Sequence, residues 1–217
     1  MPRKKLDVAR FHAEYDWHPD DRVRLFRAVA ELIRPMTVLY PGSYVDIGPS
    51  VAFDDVVYVD TDKRAERFFD QTEAVEELII QKRTALPGST ANPFTVRFHA
   101  ADYRKPLPVQ DGSVQFLVSL YAGFVSEYCT RYLADGGWLL ANNSHGDASM
   151  ATLNPDYSLF AVINSRSESY RPSTRNLETY LIPKRGQPPT VDDLHRTNRG
   201  IAYTKAPFAY LFQKTDH

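Results

Sequence analysis

Val38-Leu-Tyr-Pro-Gly-Ser43 and Val56-Val-Tyr-Val-Asp60-Thr-Asp62 are two short β-prone runs, the first broken by Pro41-Gly42 and the second ending in acids. The first reads as a strand over Thr37 to Tyr40 and the second as a strand buried on both faces, and both suit a parallel sheet. Parallel neighbours need a crossover, which places a short helix between Ser43 and Asp55. Upstream, Val23, Phe26, Val29, Ala30 and Ile33 recur at helical spacing between Asp20, a cap, and Pro35, a stop. Downstream, Lys63 to Arg83 is rich in helix formers, with Asp70 and Glu73 spaced as a cap and its box partner, and Pro87-Gly88 ends the stretch. One long helix or two consecutive ones should lie there.

Phe94, Val96 and Phe98 alternate with polar residues in a third strand, and Val114-Gln-Phe-Leu-Val-Ser119 makes a fourth after the turn at Asp111-Gly112. Residues 123 to 133 place Val125, Cys129 and Tyr132 on one helix side. Asp135-Gly136-Gly137 then turns the chain into a fifth strand, Trp138-Leu-Leu-Ala-Asn142. Alternating strands and helices at this spacing predict an open α/β sheet with helices on both faces and right-handed crossovers. From Asn154 the pattern loosens. Leu159 to Ile163 and Thr179 to Ile182 read as strands, and Tyr203 to Gln213 as a closing strand or hairpin arm. Ser165 to Thr174 and Pro183 to Pro189 read as polar, proline-punctuated loops that could form a lid.

The 217 residues favour one good-sized domain, with an N-terminal helical region over 1–35 and an irregular substrate or lid region over 154–200. Hydrophobic residues at 43% and charged residues at 24% exclude a disordered or fibrous chain. A net charge of −1 supplies no global field for a nucleic-acid backbone or an anionic membrane, although local contacts stay open and the oligomeric state is not encoded. Arg3, Lys4, Lys5 and Arg10 form a basic start, read first as a solvated terminus. Cys129 is the only cysteine, which excludes an internal disulfide and a cysteine-built zinc site and fits a reducing cytoplasm. No run reaches the ~20 apolar residues of a membrane helix.

In open α/β sheets ligands bind beyond the carboxyl ends of the strands, where the strand order reverses. The residues there are Pro41, Gly42 and Ser43; Asp60, Thr61 and Asp62; Asp102 and Tyr103; Ser119, Leu120 and Tyr121; and Asn142 to Asp147. Small residues at one strand end and an acid at the next suit a nucleoside, whose ribose hydroxyls a carboxylate can accept. Asp60 lies 18 residues beyond Gly42, near the ~20 expected for that role. Asp62 reads equally well as a helix cap.

At this point the chain resembles class I S-adenosylmethionine-dependent methyltransferases. Val38 to Ser43 is similar to their first motif and Tyr58 to Asp62 to their second. Leu107-Pro-Val-Gln-Asp-Gly-Ser113 with the strand after it is similar to the segment leading into strand four, and Tyr132-Leu-Ala-Asp-Gly-Gly-Trp-Leu-Leu140 to the turn into strand five. The resemblance spans 36–147. It implies an open, mostly parallel Rossmann-like methyltransferase sheet with helices on both faces and an antiparallel C-terminal strand, and S-adenosylmethionine as cofactor. By position, the resemblance implies that Gly42 and Ser43 approach the methionine part, Asp60 the ribose, Asp102 and Tyr103 the adenine, and Ser119, Leu120 and Tyr121 the methyl-transfer region, with Tyr40, Pro41, Asp46, Thr61 and Asp62 as further cofactor-binding candidates. The departures are Tyr40, where members carry an acid, and Tyr44 and Asp46, where they carry glycines. Tyr44 could fill the space of the carboxypropyl tail. Asp46 could reach the donor's ammonium group or cap its own loop.

A nicotinamide dehydrogenase is the competing enzyme, but its pyrophosphate needs several glycines around it, and here one glycine is joined by a carboxylate. A sulfonium cation suits that carboxylate better. Methyl transfer rests largely on positioning, so a catalytic residue is not obligatory. If a base acts, His145 with Asp147 is the candidate pair, against the commoner outcome of a loop histidine. A metal there lacks a third ligand. Tyr121, Phe124, Tyr128 and Tyr132 have the spacing of core packing, and only Tyr121, at the strand end, joins the site. Arg166, Arg171, Arg175, Lys184 and Arg185 make a local basic patch, by default solvated. The sequence thus reads as a methyltransferase-like protein acting on a small-molecule acceptor; the alternative is a non-catalytic binding or scaffold module on the same fold.

Overall fold

The computed structural model describes residues 6–15, 20–86, 92–167 and 169–215, so the basic Arg3-Lys4-Lys5 start and the Pro87-Gly88 helix stop lie outside it. Eight strands form one sheet in the order β3-β2-β1-β4-β5-β8-β6-β7. The first five, β1 (Val38–Pro41), β2 (Asp55–Asp60), β3 (Thr95–Ala100), β4 (Val114–Ser119) and β5 (Leu133–Ala141), run parallel. Every residue of β1 is buried, as are Val56 to Val59 of β2, which accounts for their unbroken apolar runs. β8 (Ala209–Lys214) inserts antiparallel between β5 and β6 (Tyr157–Arg166), and β7 (Ser169–Ser173) hairpins back along β6 at the edge. The expected mostly parallel sheet with an antiparallel C-terminal strand is present.

Helices cover both faces. Against one face pack α1 (Val8–Tyr15), α2 (Asp21–Ala30), α3 (Gly48–Ala52), α4 (Lys63–Phe69) and α5 (Thr72–Thr84), around Phe26, Val29, Tyr58, Phe68, Ile79 and Phe116. Against the other pack α6 (Val125–Cys129) and α7 (Asp147–Leu153), around Leu39, Val57, Leu117, Cys129, Tyr132 and Ala151. A third, small cluster of Phe124, Met150 and Leu194 seats α8 (Val191–Thr197) on α7. The reversal of strand order falls between β1 and β4, because successive crossovers from β1 and from β3 lead to opposite sides. Among the described residues no helix is long and apolar enough to cross a membrane.

Several local expectations are corrected. The α5 N-cap is Gln71, while Asp70 closes α4, its N–H donating to Glu66 O; the two helices abut too closely for a separate cap. Asp20 does stand at the N-cap of α2, but in a left-handed conformation without a side-chain cap bond, and its carboxylate meets Lys82 Nζ at 2.7 Å. Asp135-Gly136-Gly137 lies inside β5 as an irregularity, since Val114 pairs with Leu133 but Phe116 already pairs with Trp138. Thr179 to Ile182 is not a strand: Leu177–Tyr180 forms a 3₁₀ turn. The stretch expected as a loop from Ser165 contains β7, an edge strand that tolerates Pro172 because one side of its ladder is unpaired.

α8 owes its start to a capping box, in which Thr190 Oγ1 accepts from the Asp193 N–H at 3.2 Å and the Asp193 carboxylate accepts from the Thr190 N–H at 3.4 Å. Thr190→Ala is expected to weaken this helix by about 1 kcal/mol. Hydrogen exchange would report faster exchange across α8, with the amides of β1, β4 and β5 unchanged.

Candidate functional site

The chain leaves β1 through Gly42, whose φ of +66° and close approach to Ala122 both demand glycine: any side chain there would collide with the Ala122 methyl group. The Gly42 N–H donates to Val59 O at 2.7 Å, tying the turn to β2. Two residues on, Tyr44 adopts φ +48° and donates its N–H to Asp60 Oδ2 at 2.7 Å. The other oxygen of Asp60 accepts the Asp62 N–H at 2.8 Å. Asp60 is therefore oriented by two backbone amides at the end of β2, and a carboxylate has lone pairs beyond these for a ligand.

Asp62 turns to its own helix. It accepts the Arg64 N–H at 2.7 Å and pairs with the guanidinium, and this hydrogen bonding lowers its pKa. Asp102 repeats the pattern beyond β3 with Arg104, its pKa lowered for the same reason. Tyr103 is half-buried; burial pushes its hydroxyl up to about 12, and that hydroxyl donates to Ala122 O.

Together these elements enclose a cavity of about 530 Å³, lined by Gly42, Asp60, Thr61, Asp102 and Tyr103 with Ala122 and His195. Its size falls within the ~300–1,000 Å³ of small-molecule sites. A larger groove of about 690 Å³ follows α2 past Arg27, Arg34 and Arg83. It contains no residue from the carboxyl end of a parallel strand, and Arg83 is already bonded to Ser50 O, Phe53 O and Asp54.

The remaining sequence-derived candidates lie elsewhere. Tyr40 and Asp46 face the helix layer: Asp46, 1% exposed, accepts from Tyr40 Oη at 3.1 Å and Gly48 N–H at 2.9 Å, with Arg22 Nε 3.4 Å away. Asp46 is thus a capping carboxylate, and neither residue lines the cavity. The Tyr44 ring packs on Tyr15 and Phe11 of α1 and beneath Arg64, so it does not fill the strand-end hollow. Pro41, Ser43, Ser119 and Leu120 are buried beneath the turns. Tyr121 is 50% exposed with φ +60°, its ring beside Arg22 and Phe208 and outside the cavity.

His145 and Asp147 do not form the pair read from the sequence. His145 Nδ1 lies 3.0 Å from Ser144 Oγ, whereas Asp147 is buried and bonded to the amide and hydroxyl of Ser126. Sequence reading missed a different histidine. His195 on α8 lines the cavity, with its Nε2 3.0 Å from Glu127 Oε2 and its ring edge-on to Phe124. The Thr190-to-Asp193 spacing was the available signal for α8, but nothing in the sequence joins residue 195 to 127. Among the described residues no group of three or more His, Cys, Asp or Glu is placed to hold a metal.

No family model matches the sequence, and no curated protein matches it. Solved structures do. A protein described as an S-adenosyl-L-methionine-dependent methyltransferase from Methanococcus maripaludis is 12% identical with a TM-score of 0.51, over 100% of this chain and 98% of that one. A SAM-dependent methyltransferase from Thermotoga maritima is 13% identical with a TM-score of 0.52, over 95% and 97%. One described as an O-methyltransferase from Klebsiella pneumoniae is 10% identical with a TM-score of 0.50, over 79% and 89%. At such identities the likeness speaks to architecture, and with the strand order above it shows that this chain has the Rossmann-like fold of class I S-adenosylmethionine-dependent methyltransferases.

Proposed function

We propose that this chain binds S-adenosylmethionine beyond the ends of β1, β2 and β3 and transfers its methyl group to a small-molecule acceptor. The observation that carries the reading is the single cavity that gathers Gly42, Asp60, Asp102 and Tyr103. These residues fit the nucleoside half of the donor. Asp60, fixed by two amides, is set to accept ribose hydroxyls, and the Tyr103 ring with Asp102 borders the place for the base. The methionine half has less room, because Ala122 rests on Gly42.

When bound, the donor supplies an electrophilic methyl group on a sulfonium. The chain's part is to orient it and to bring the acceptor into line, which positioning alone can accelerate strongly. The acceptor would approach from the side of Tyr121, Phe208 and Arg22, across Ala122 from the nucleoside cavity. Neither His145 nor Asp147 has the geometry of a base there, so no proton-transfer residue is assigned.

Isothermal titration with S-adenosylmethionine and with its demethylated product tests the reading: micromolar binding supports it. Asp60→Ala should weaken that binding at least about tenfold, since charged hydrogen bonds contribute roughly 1.5–3 kcal/mol. Unchanged affinity would remove Asp60 from the site. The competing reading, a non-catalytic binding or scaffold module, is favoured by the Ala122 contact and by the internal engagement of Tyr40 and Asp46. Absence of heat with folded protein would support it.

A further inference from the structure

The lining of the strand-end cavity falls into a polar set and an aromatic set. Gly42, Asp60 and Thr61 belong to the first; Tyr103, Phe124, Tyr128 and His195 make up the second. The rings meet in pairs, Tyr103 edge-on to Tyr128 with centroids 6.2 Å apart and Phe124 edge-on to His195 at 5.3 Å. α6 joins the two pairs, because Phe124 is its N-cap and Tyr128 stands within it. An aromatic wall beside a carboxylate oriented for ribose suits the base of the same nucleoside.

Few polar groups of this lining are left to read that base. Both Asp102 oxygens are taken by Arg104, the Tyr103 hydroxyl donates to Ala122 O, and Asp60 is committed to the ribose. His195 differs from them. Its Nε2 lies 3.0 Å from Glu127 Oε2, and among the described residues no partner meets Nδ1. A carboxylate only accepts, so Nε2 carries the proton and Nδ1 of the neutral ring is left as an acceptor. The two side chains are 43% and 32% exposed, where an ion pair adds little to stability. The bond's consequence is orientation: it selects one tautomer of a ring that Phe124 also holds and that Leu194 anchors from below α8.

We infer that His195 reads the 6-position of a bound purine: Nδ1 accepts from the exocyclic amino group of adenine and opposes the 6-oxo group of hypoxanthine, and Glu127 is the positioning residue that fixes the tautomer. The inference rests on the nucleoside reading of the cavity and adds the choice of base to it. An oxo group brings lone pairs to Nδ1 in place of a hydrogen, which leaves two acceptors facing each other unpaired.

The test is titration of adenosine and of inosine, which carry amino and oxo groups at that position, at pH 8 into the wild-type chain, His195→Phe, Glu127→Gln and Asn198→Ala. Wild type should favour adenosine about tenfold, the worth of a net hydrogen bond. His195→Phe keeps a ring beside Phe124 and removes both nitrogens, so the ratio should fall toward one. Glu127→Gln allows the amide to donate to Nε2 and the proton to move to Nδ1, and the ratio should fall there too although His195 is intact. Asn198→Ala removes the other polar side chain that the end of α8 brings to the lining and should leave the ratio as it is. Equal affinity of wild type for both nucleosides overturns the inference and leaves the nucleoside reading standing. So does an unchanged ratio in His195→Phe, even where both affinities drop together, because the ring would then be a wall and nothing more. A ratio that falls in Asn198→Ala but not in His195→Phe overturns it in favour of Asn198, and a fall in His195→Phe with none in Glu127→Gln overturns the positioning role of Glu127. Folded wild type that binds neither nucleoside removes the reading of the cavity and the choice of base with it.

Discussion

Asp46→Ala is expected to cost about 4 kcal/mol of stability, lowering the melting temperature by roughly 10 °C for a chain of this length. Asp46 is the acceptor at the centre of a buried network, joined to Tyr40 Oη, the Gly48 amide and the Arg22 guanidinium. Burial alone would lower the Arg22 pKa; the Asp46 carboxylate overrides it and raises the value. The same pairing of burial and neighbouring charge raises Tyr40 well above the ordinary phenol. Removing the carboxylate leaves a largely buried cation facing Tyr121 and Phe208, with Nη1 already lacking a hydrogen-bond partner. Asp46→Asn separates charge from shape: it keeps an acceptor for Tyr40 or Gly48 and should lose about half as much. Chemical denaturation of the three proteins provides the measurement, and a loss below about 1 kcal/mol for the alanine variant would mean that the network does not hold the turn.

The carboxylate's place also explains how far the sequence could be read. Strands buried on both faces announce themselves as apolar runs, so β4 was legible to the residue and β2 to within one. Once their parallel order is given, the ends of β1, β2 and β3 must lie side by side, and Gly42, Asp60, Asp102 and Tyr103 follow into one cavity. What the pattern lacks is side-chain direction in turns. Asp46 and Gly42 are four residues apart, yet one points into the helix layer and the other borders the cavity. β7 was hidden because an edge strand with Arg171 and Pro172 has the composition of a loop. α8 was hidden because one buried residue, Leu194, is too little for a helical period to show. Its His195 meets Glu127 only through the Phe124, Met150 and Leu194 cluster, a tertiary contact with no local signature.

Asp147→Asn should change how stability depends on pH. The Asp147 carboxylate accepts from the Ser126 N–H at 3.0 and 3.2 Å and from its hydroxyl, and so caps α6 from across the loop, where the N-cap residue Phe124 offers no side-chain acceptor. Burial pushes its pKa from 3.8 up to about 6, while the Ser119 and Ser126 hydroxyls pull it part of the way back. Ser119 Oγ faces this carboxylate but meets no hydrogen-bond geometry. Between about pH 4 and pH 6 the folded chain keeps a proton that the unfolded chain has lost. The Asp147 contribution therefore falls as pH rises through that window, by about 3 kcal/mol in all, and is constant above it. Asp62, Asp102, Asp111 and Asp193, whose pKa values are lowered, act in the opposite sense in acid. Subtracting the Asp147→Asn curve from the wild-type curve cancels them. The amide cannot ionise, yet its oxygen can still accept from Ser126 and its NH₂ group can donate to the Ser119 hydroxyl. The variant should consequently gain on wild type from about pH 4 to pH 6 and level off above that. A flat difference curve would show that Asp147 stays ionised across the range and that Ser126 and Ser119 together solvate it as well as water does.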